Sequence, residues 1–308
     1  MRELPLPIPG EPALAGTLAL PPGEGPFAAA LIASGSGPLD RDSNHRRAHF
    51  DVGRQLAHAL AAAGLASLRY DKRGVGESPG DWRRAGLHDN VDDLGRALQA
   101  LAAAPEVHGD RIVLIGHSEG AILSASLAAR GVAVRGVVLL AGSATPGEEL
   151  LRWQAAQIGP TLPRFVRGLL RLLRTDLEKR VAANHRRIKA TTTDVARVDG
   201  ARVNARWLRE FMAHDPREDL RRLAVPVLAI TGAKDVQSRP DDLTAVADLV
   251  AGPVETSRMP DLTHTLRRQP GPATLRSYRE ELRRPVDADV LATVSRWSVR
   301  VTADAPVS

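Results

Sequence analysis

Arg111-Ile112-Val113-Leu114-Ile115-Gly116-His117-Ser118-Glu119-Gly120 runs directly into Ala121-Ile122-Leu123-Ser124-Ala125-Ser126-Leu127-Ala128-Ala129, and this stretch decides the fold. The first five residues read as a buried strand. The Ala- and Leu-rich run reads as a helix, with almost nothing between them. A G-x-S-x-G motif carries weight only in this strand–turn–helix setting. So sharp a turn forces Ser118 into a strained backbone conformation. A side chain at 116 or 120 would collide, so glycine is needed there. Ser118 Oγ is then expected to stand exposed at the sheet edge. The helix N-terminus behind it offers free N–H groups and a positive dipole end to developing negative charge. Ser118 is the predicted nucleophile.

Outward from this point, short apolar runs alternate with helical patterns, the signature of a parallel sheet with crossover helices. Leu14 to Leu20 reads as an early antiparallel strand, and Phe27 to Ser34 as a buried strand ahead of a Gly-rich loop. Phe50 to Ala63 is an amphipathic helix, Ala66 to Tyr70 a strand, Asn90 to Ala104 a helix, and Gly136 to Leu140 a strand. The rhythm then breaks: residues 145 to about 215 show helical patterns and no convincing strand. Val225 to Thr231 resumes the sheet, Asp241 to Val250 is a helix, and Val254 to Met259 is a last strand. Ser277 to Arg284 and Asp287 to Trp297 close the chain as helices, Asp287 suiting an N-cap. This layout predicts an α/β core from residues 1–144 and 216–308, with residues 145–215 as a helical cap over the C-terminal strand ends. Ligands bind at those ends in open α/β sheets.

Composition narrows the classes. The chain has 308 residues, 43% of them hydrophobic, enough for a sizeable core. The net charge of +6 raises nucleic acid or an anionic membrane as partners. However, 36 acidic residues are interspersed with the 42 basic ones, and aromatics make up 3%, leaving little to stack on bases. No nucleic-acid partner is expected. Cysteine is absent, so disulfides and thiolate metal sites are excluded. No apolar run is long enough to span a membrane. The first residues are interrupted by Pro5, Pro7, Pro9 and Pro12 and lack a secretory pattern, so a cytoplasmic location is expected. No clustered metal-ligand pattern stands out, and Gly74-Val75-Gly76 lacks the rest of a dinucleotide fingerprint. No cofactor or metal is expected.

These motifs resemble the serine esterases of the α/β-hydrolase family, over most of the chain apart from the cap. Ser34-Gly35-Ser36-Gly37-Pro38-Leu39-Asp40-Arg41-Asp42 resembles the GSGP-x-DRD loop of bacterial acyl esterases in that family. Arg69 to Ser78 resembles the family's segment after the next strand, which is usually structural. The resemblance implies a mostly parallel, twisted sheet with helices on both faces and a helical cap. It also implies the chain order nucleophile, acid, histidine. Of nine histidines, only His264 follows the last strand, where the family carries its base. Gly232-Ala233-Lys234-Asp235 resembles the family's G-x-x-D loop, and Asp235 would hold the His264 imidazole in the correct tautomer. Asp241, Asp242 and Asp261 are rivals for that place. The oxyanion hole is expected from the backbone N–H of Glu119, the residue after the nucleophile, and by resemblance from that of Ser36. Asp40, Arg41 and Asp42 are expected to brace the loop.

The substrate is less legible. Residues 164–174 (RFVRGLLRLLR) place Phe165, Val166, Leu169, Leu170, Leu172 and Leu173 on one helical side and four arginines on the other. That suits a cap helix with its apolar side inward; the alternative is attachment to an anionic lipid interface. Trp153, Trp207, Phe211 and Met212 are candidates for an acyl pocket or for core packing. The leading expectation is a carboxylesterase for small to medium acyl chains. A thioesterase, or an amidase or peptidase using Glu148, Glu149 or Glu210, would share the site. A hydrolase-fold ligand receptor with little turnover is the alternative of another class. An epoxide hydrolase or dehalogenase is disfavoured, because such members carry Asp where this chain has Ser118. Oligomeric state is not readable from the residues.

Overall fold

The computed structural model describes residues 1–161 and 177–303. The postulated basic helix 164–174 lies outside the described residues. Eight strands form one sheet: β1 (Arg2–Pro5), β2 (Gly16–Leu20), β3 (Phe27–Ala33), β6 (Ala66–Tyr70), β7 (Val107–His117), β8 (Gly136–Leu140), β11 (Val227–Gly232) and β12 (Val254–Met259). Their spatial order is β1-β2-β6-β3-β7-β8-β11-β12. The strands from β6 to β12 pair in parallel; β1 and β2 pair antiparallel at the other edge. The central strands are apolar on both faces, as a sheet covered twice requires. The small hairpin β4 (Asn44–His45) and β5 (Ala48–His49) lies outside the sheet.

Two helical layers cover the sheet. On one face α1 (Val52–Ala62) and α10 (Ala288–Thr302) bury Leu56, Leu60, Val290 and Val294 against Ile32, Ile115 and Val138. On the other α2 (Leu87–Ala102) and α3 (Glu119–Ala129) bury Leu94, Leu98, Leu123 and Leu127 against Leu31, Leu114 and Leu139. Asp287 caps α10, its carboxylate accepting from the Asp289 and Val290 amides. The fold is that of an α/β hydrolase.

Between β8 and β11 lie α4 (Gly147–Thr161), α5 (Leu177–Lys189), α6 (Ala205–Ala213) and α7 (Pro216–Arg222); α8 (Asp242–Leu249) joins β11 to β12, and the short α9 (Tyr278–Glu281) precedes α10. The segment between β8 and β11 also holds a hairpin, β9 (Val195–Val198) and β10 (Ala201–Asn204), which corrects the expectation of no strand there. Its turn is Asp199-Gly200, with φ of 50° and 83°, the two-residue turn that matches strand twist. The signal was present in the sequence. It is weak because the flanking residues are half-exposed and rich in Arg, so they lack the apolar alternation of a strand facing a core.

Candidate active site

The site lies at the C-terminal ends of β3, β7, β11 and β12. Ser118 sits between β7 and α3 with φ 57° and ψ −119°, a strained conformation for a residue with a side chain. A Cβ at Gly116 would lie 2.0 Å from the Gly120 carbonyl oxygen, and one at Gly120 would lie 2.1 Å from that of Ala33. Glycine is therefore obligatory at both positions. The Ser118 amide donates to the Leu140 carbonyl at 2.8 Å, tying the turn to β8.

His264 follows β12 and presents Nε2 at 2.9 Å from Ser118 Oγ. Its Nδ1 lies 2.9 Å from Asp235 Oδ2 and 3.2 Å from Oδ1. Asp235, in the turn after β11, is buried. Its Oδ1 also accepts from the Gln237 and Ser238 amides at 2.7 and 2.8 Å. A carboxylate so placed accepts the proton of His264 Nδ1, which leaves Nε2 free to accept from the Ser118 hydroxyl. The three rival acids are engaged elsewhere. Asp261 pairs with Lys234, Asp241 with Arg258, and Asp242 accepts from Ser143, Ala144 and Thr145 after β8.

Ser36 and Glu119 both line a cavity of about 240 Å³ with Ser118. Among the described residues, the backbone N–H groups of Ser36 and Glu119 donate to no protein acceptor. Lys72, buried at the end of β6, donates to the Gly35 carbonyl at 2.6 Å and to Glu119 Oε2 at 2.8 Å. Glu119 Oε1 in turn accepts from Asn90 and from the Trp207 indole. One buried ion pair thus links the loop after β3 to the first residue of α3. Lys72 stands in the Arg69–Ser78 segment, whose resemblance pointed only to a structural part. Nothing in the sequence signals its reach to residues 35 and 119. Arg41 pairs with Asp71 and Glu77, Asp42 with Arg69, and Asp40 accepts from the Asn44 amide, so this triplet does brace its loop.

The His264 loop is held by groups that sequence reasoning missed. The buried Arg267 guanidinium donates to the Thr265 and Phe50 carbonyls, each at 2.6 Å, while Glu281 accepts from Thr263 and Thr265. His117 Nε2 donates to the His264 carbonyl at 2.9 Å. Burial and the neighbouring His264 push the His117 pKa down to about 3. His117 therefore resists a proton that the unfolded chain accepts near pH 6.5. As pH falls from 6.5 toward 3, the unfolded state binds more protons and stability drops. The slope from this one group approaches about 1.4 kcal/mol per pH unit. Urea denaturation at pH 7 and pH 5 should show His117→Gln losing less stability over that interval than the parent. Parallel losses in the two proteins would mean that His117 does not carry this acid sensitivity.

Of the candidate pocket residues, Trp207 and Phe211 stack at 4.7 Å and line the cavity beside Ser118, together with Leu150, Leu151 and Ile122. Met212 instead packs with Ile188 and Ala205, and Trp153 against the main core. Among the described residues no group of three or more His, Cys, Asp or Glu side chains is placed to hold a metal ion. No described helix is long and apolar enough to cross a membrane.

A serine on a strained strand-to-helix turn, an imidazole on its hydroxyl and a buried carboxylate behind, set on this sheet, define the serine-hydrolase class of α/β hydrolases. Residues 45–270 match the Hydrolase_4 family, described as serine aminopeptidase, S33, and the chain belongs to that family. It is 27% identical to Esterase EstD of Thermotoga maritima over 290 residues, covering 93% of this chain and 66% of EstD. It is 32% identical to Esterase FrsA of Enterobacter sp. over 128 residues, covering 42% of this chain and 28% of FrsA. The chain thus spans less than two thirds of either relative. Est1E from Butyrivibrio proteoclasticus, with ferulic acid bound, shares the fold at a TM-score of 0.66 and 17% identity, over 98% of this chain and 100% of that one.

Proposed function

We propose that this protein is a carboxylic ester hydrolase working through Ser118, His264 and Asp235. The observation that carries the reading is His264 bridging Ser118 Oγ and the Asp235 carboxylate, 2.9 Å from each. Ser118 Oγ attacks the acyl carbon while His264 Nε2 takes its proton. Asp235 orients the ring and stabilises the imidazolium. The tetrahedral oxyanion sits on the Ser36 and Glu119 amides. Lys72 acts as a positioning residue, because its bonds to Gly35 and Glu119 hold both amide-bearing segments. His264 then protonates the leaving alcohol, and water cleaves the acyl-enzyme by the same route. The family resemblance to GSGP-x-DRD acyl esterases and the likeness to EstD support an ester as substrate.

The segment 145–215 serves as the cap, with Trp207, Phe211, Leu150 and Leu151 shaping a pocket for small to medium acyl chains. The volume of about 240 Å³ supports that size. An aminopeptidase needs a free carboxylate to hold the substrate amine, and the candidate acids are spent. Glu148 pairs with Arg152 and Lys189, Glu149 with Arg239, and Glu210 with Arg206. The test is hydrolysis of p-nitrophenyl acetate, butyrate and octanoate beside a matched thioester and anilide. Ester turnover peaking at the shorter chains is the expected result. Turnover of the anilide or thioester with the esters inert would replace this reading.

A further inference from the structure

The cavity beside Ser118 does not end at the acyl pocket. Ser36, Glu119 and Trp207 also line a second cavity, of about 310 Å³, walled by Trp82, Val203 and Leu208. Lys72 and Arg73 border it too, but each is neutralised, Lys72 by Glu119 and Arg73 by Asp93. The walls are thus aromatic and apolar next to the reacting serine. The far side differs. Arg202 on β10 borders both this cavity and a third, open one of about 700 Å³ that also contains Arg84 and Arg197. Among the described residues none of these three guanidinium groups pairs with a carboxylate. Asp194 is the one acid bordering the third cavity, and it also faces Arg206.

Arg202 stands directly opposite Arg197 in the β9–β10 hairpin. Like charges at opposed positions destabilise an antiparallel pair. An anion between them removes that repulsion, and a guanidinium binds a planar carboxylate with two parallel hydrogen bonds. We propose that the site selects esters with an apolar or aromatic body in the Trp82–Trp207 cavity and a terminal carboxylate held by Arg202 with Arg197 and Arg84. This selectivity rests on the ester-hydrolase reading; the binding of the carboxylate does not.

The test compares matched esters with and without the carboxylate, on each side of the scissile bond. Mono-p-nitrophenyl glutarate is set against p-nitrophenyl butyrate, and 4-(butyryloxy)benzoate against phenyl butyrate. In at least one pair the carboxylate ester should have a kcat/KM about tenfold or more above its neutral partner, as one charge-assisted pair supplies. That ratio should collapse in the double variant R197Q/R202Q, mainly through KM, and should fall in about 0.5 M NaCl. A ratio near one in both pairs, or a ratio that survives the double substitution, overturns the proposal. If no ester is turned over, the hydrolase reading fails, and calorimetry then decides the present one. Binding of 4-hydroxybenzoate but not phenol, lost in R197Q/R202Q, supports it; no arginine-dependent binding overturns it.

Discussion

Ser118→Ala should lower kcat for p-nitrophenyl butyrate by about 10⁴-fold or more, with KM little changed and the fold intact. The substitution removes one oxygen and nothing that holds the turn. The strained φ of 57°, the 2.8 Å bond from the residue 118 amide to Leu140 and the two flanking glycines all remain. His264 keeps its bond to Asp235 but has no hydroxyl to deprotonate. The residual rate is what the oxyanion amides can do for water alone, on the order of 10³-fold over solution. Stopped-assay kinetics with circular dichroism on the same sample make the measurement. A variant retaining a tenth of the parent rate would place the nucleophile elsewhere.

Asp235→Asn should be nearly as severe, on the order of 10⁴-fold in kcat, for a different reason. Asp235 Oδ1 is committed to the Gln237 and Ser238 amides, at 2.7 and 2.8 Å. In the asparagine, the carbonyl oxygen has to stay on those two donors, so the NH₂ group takes the place of Oδ2. It then donates to His264 Nδ1. That forces the ring proton onto Nε2, the nitrogen that faces Ser118, and the base can no longer accept. Binding is untouched, so KM should hold while kcat falls. Near-parent kcat would mean that another acid orients His264. Asp261 could not do so without leaving Lys234 and turning inward from a position that is 57% exposed.

The physical reasons for success and failure along the chain are local. Ala66–Tyr70, Gly136–Leu140 and Val254–Met259 have the bounds read from their sequence; for Gly136–Leu140 the reason is that the buried apolar run stops where the strand leaves the sheet. Val107–His117 is longer than the Arg111–Ile115 read for it, because Val107 pairs with Phe27 across an irregularity that polar residues 108–110 disguise. The β9–β10 hairpin was missed because it packs on no large core. Ser277–Arg284 yields only the short helix α9 (Tyr278–Glu281), since past it the Arg283 and Arg284 amides bond three residues back, to Glu280 and Glu281, and Pro285 follows.

The order of residues carries the α/β-hydrolase fold and singles out Ser118, Asp235 and His264 as candidates, whose side chains the structure brings within 2.9 Å at each contact. Periodicity and the glycines at 116 and 120 are local properties, written in neighbouring residues. Contacts between distant segments come from the folded chain. Lys72 reaches Gly35 and Glu119, His117 holds the His264 backbone, and Arg197, Arg202 and Arg84 gather around one opening. A charged side chain has no period and no spacing that names its partner. Only the closing of the sheet and the hairpin's register bring those groups within reach of one another.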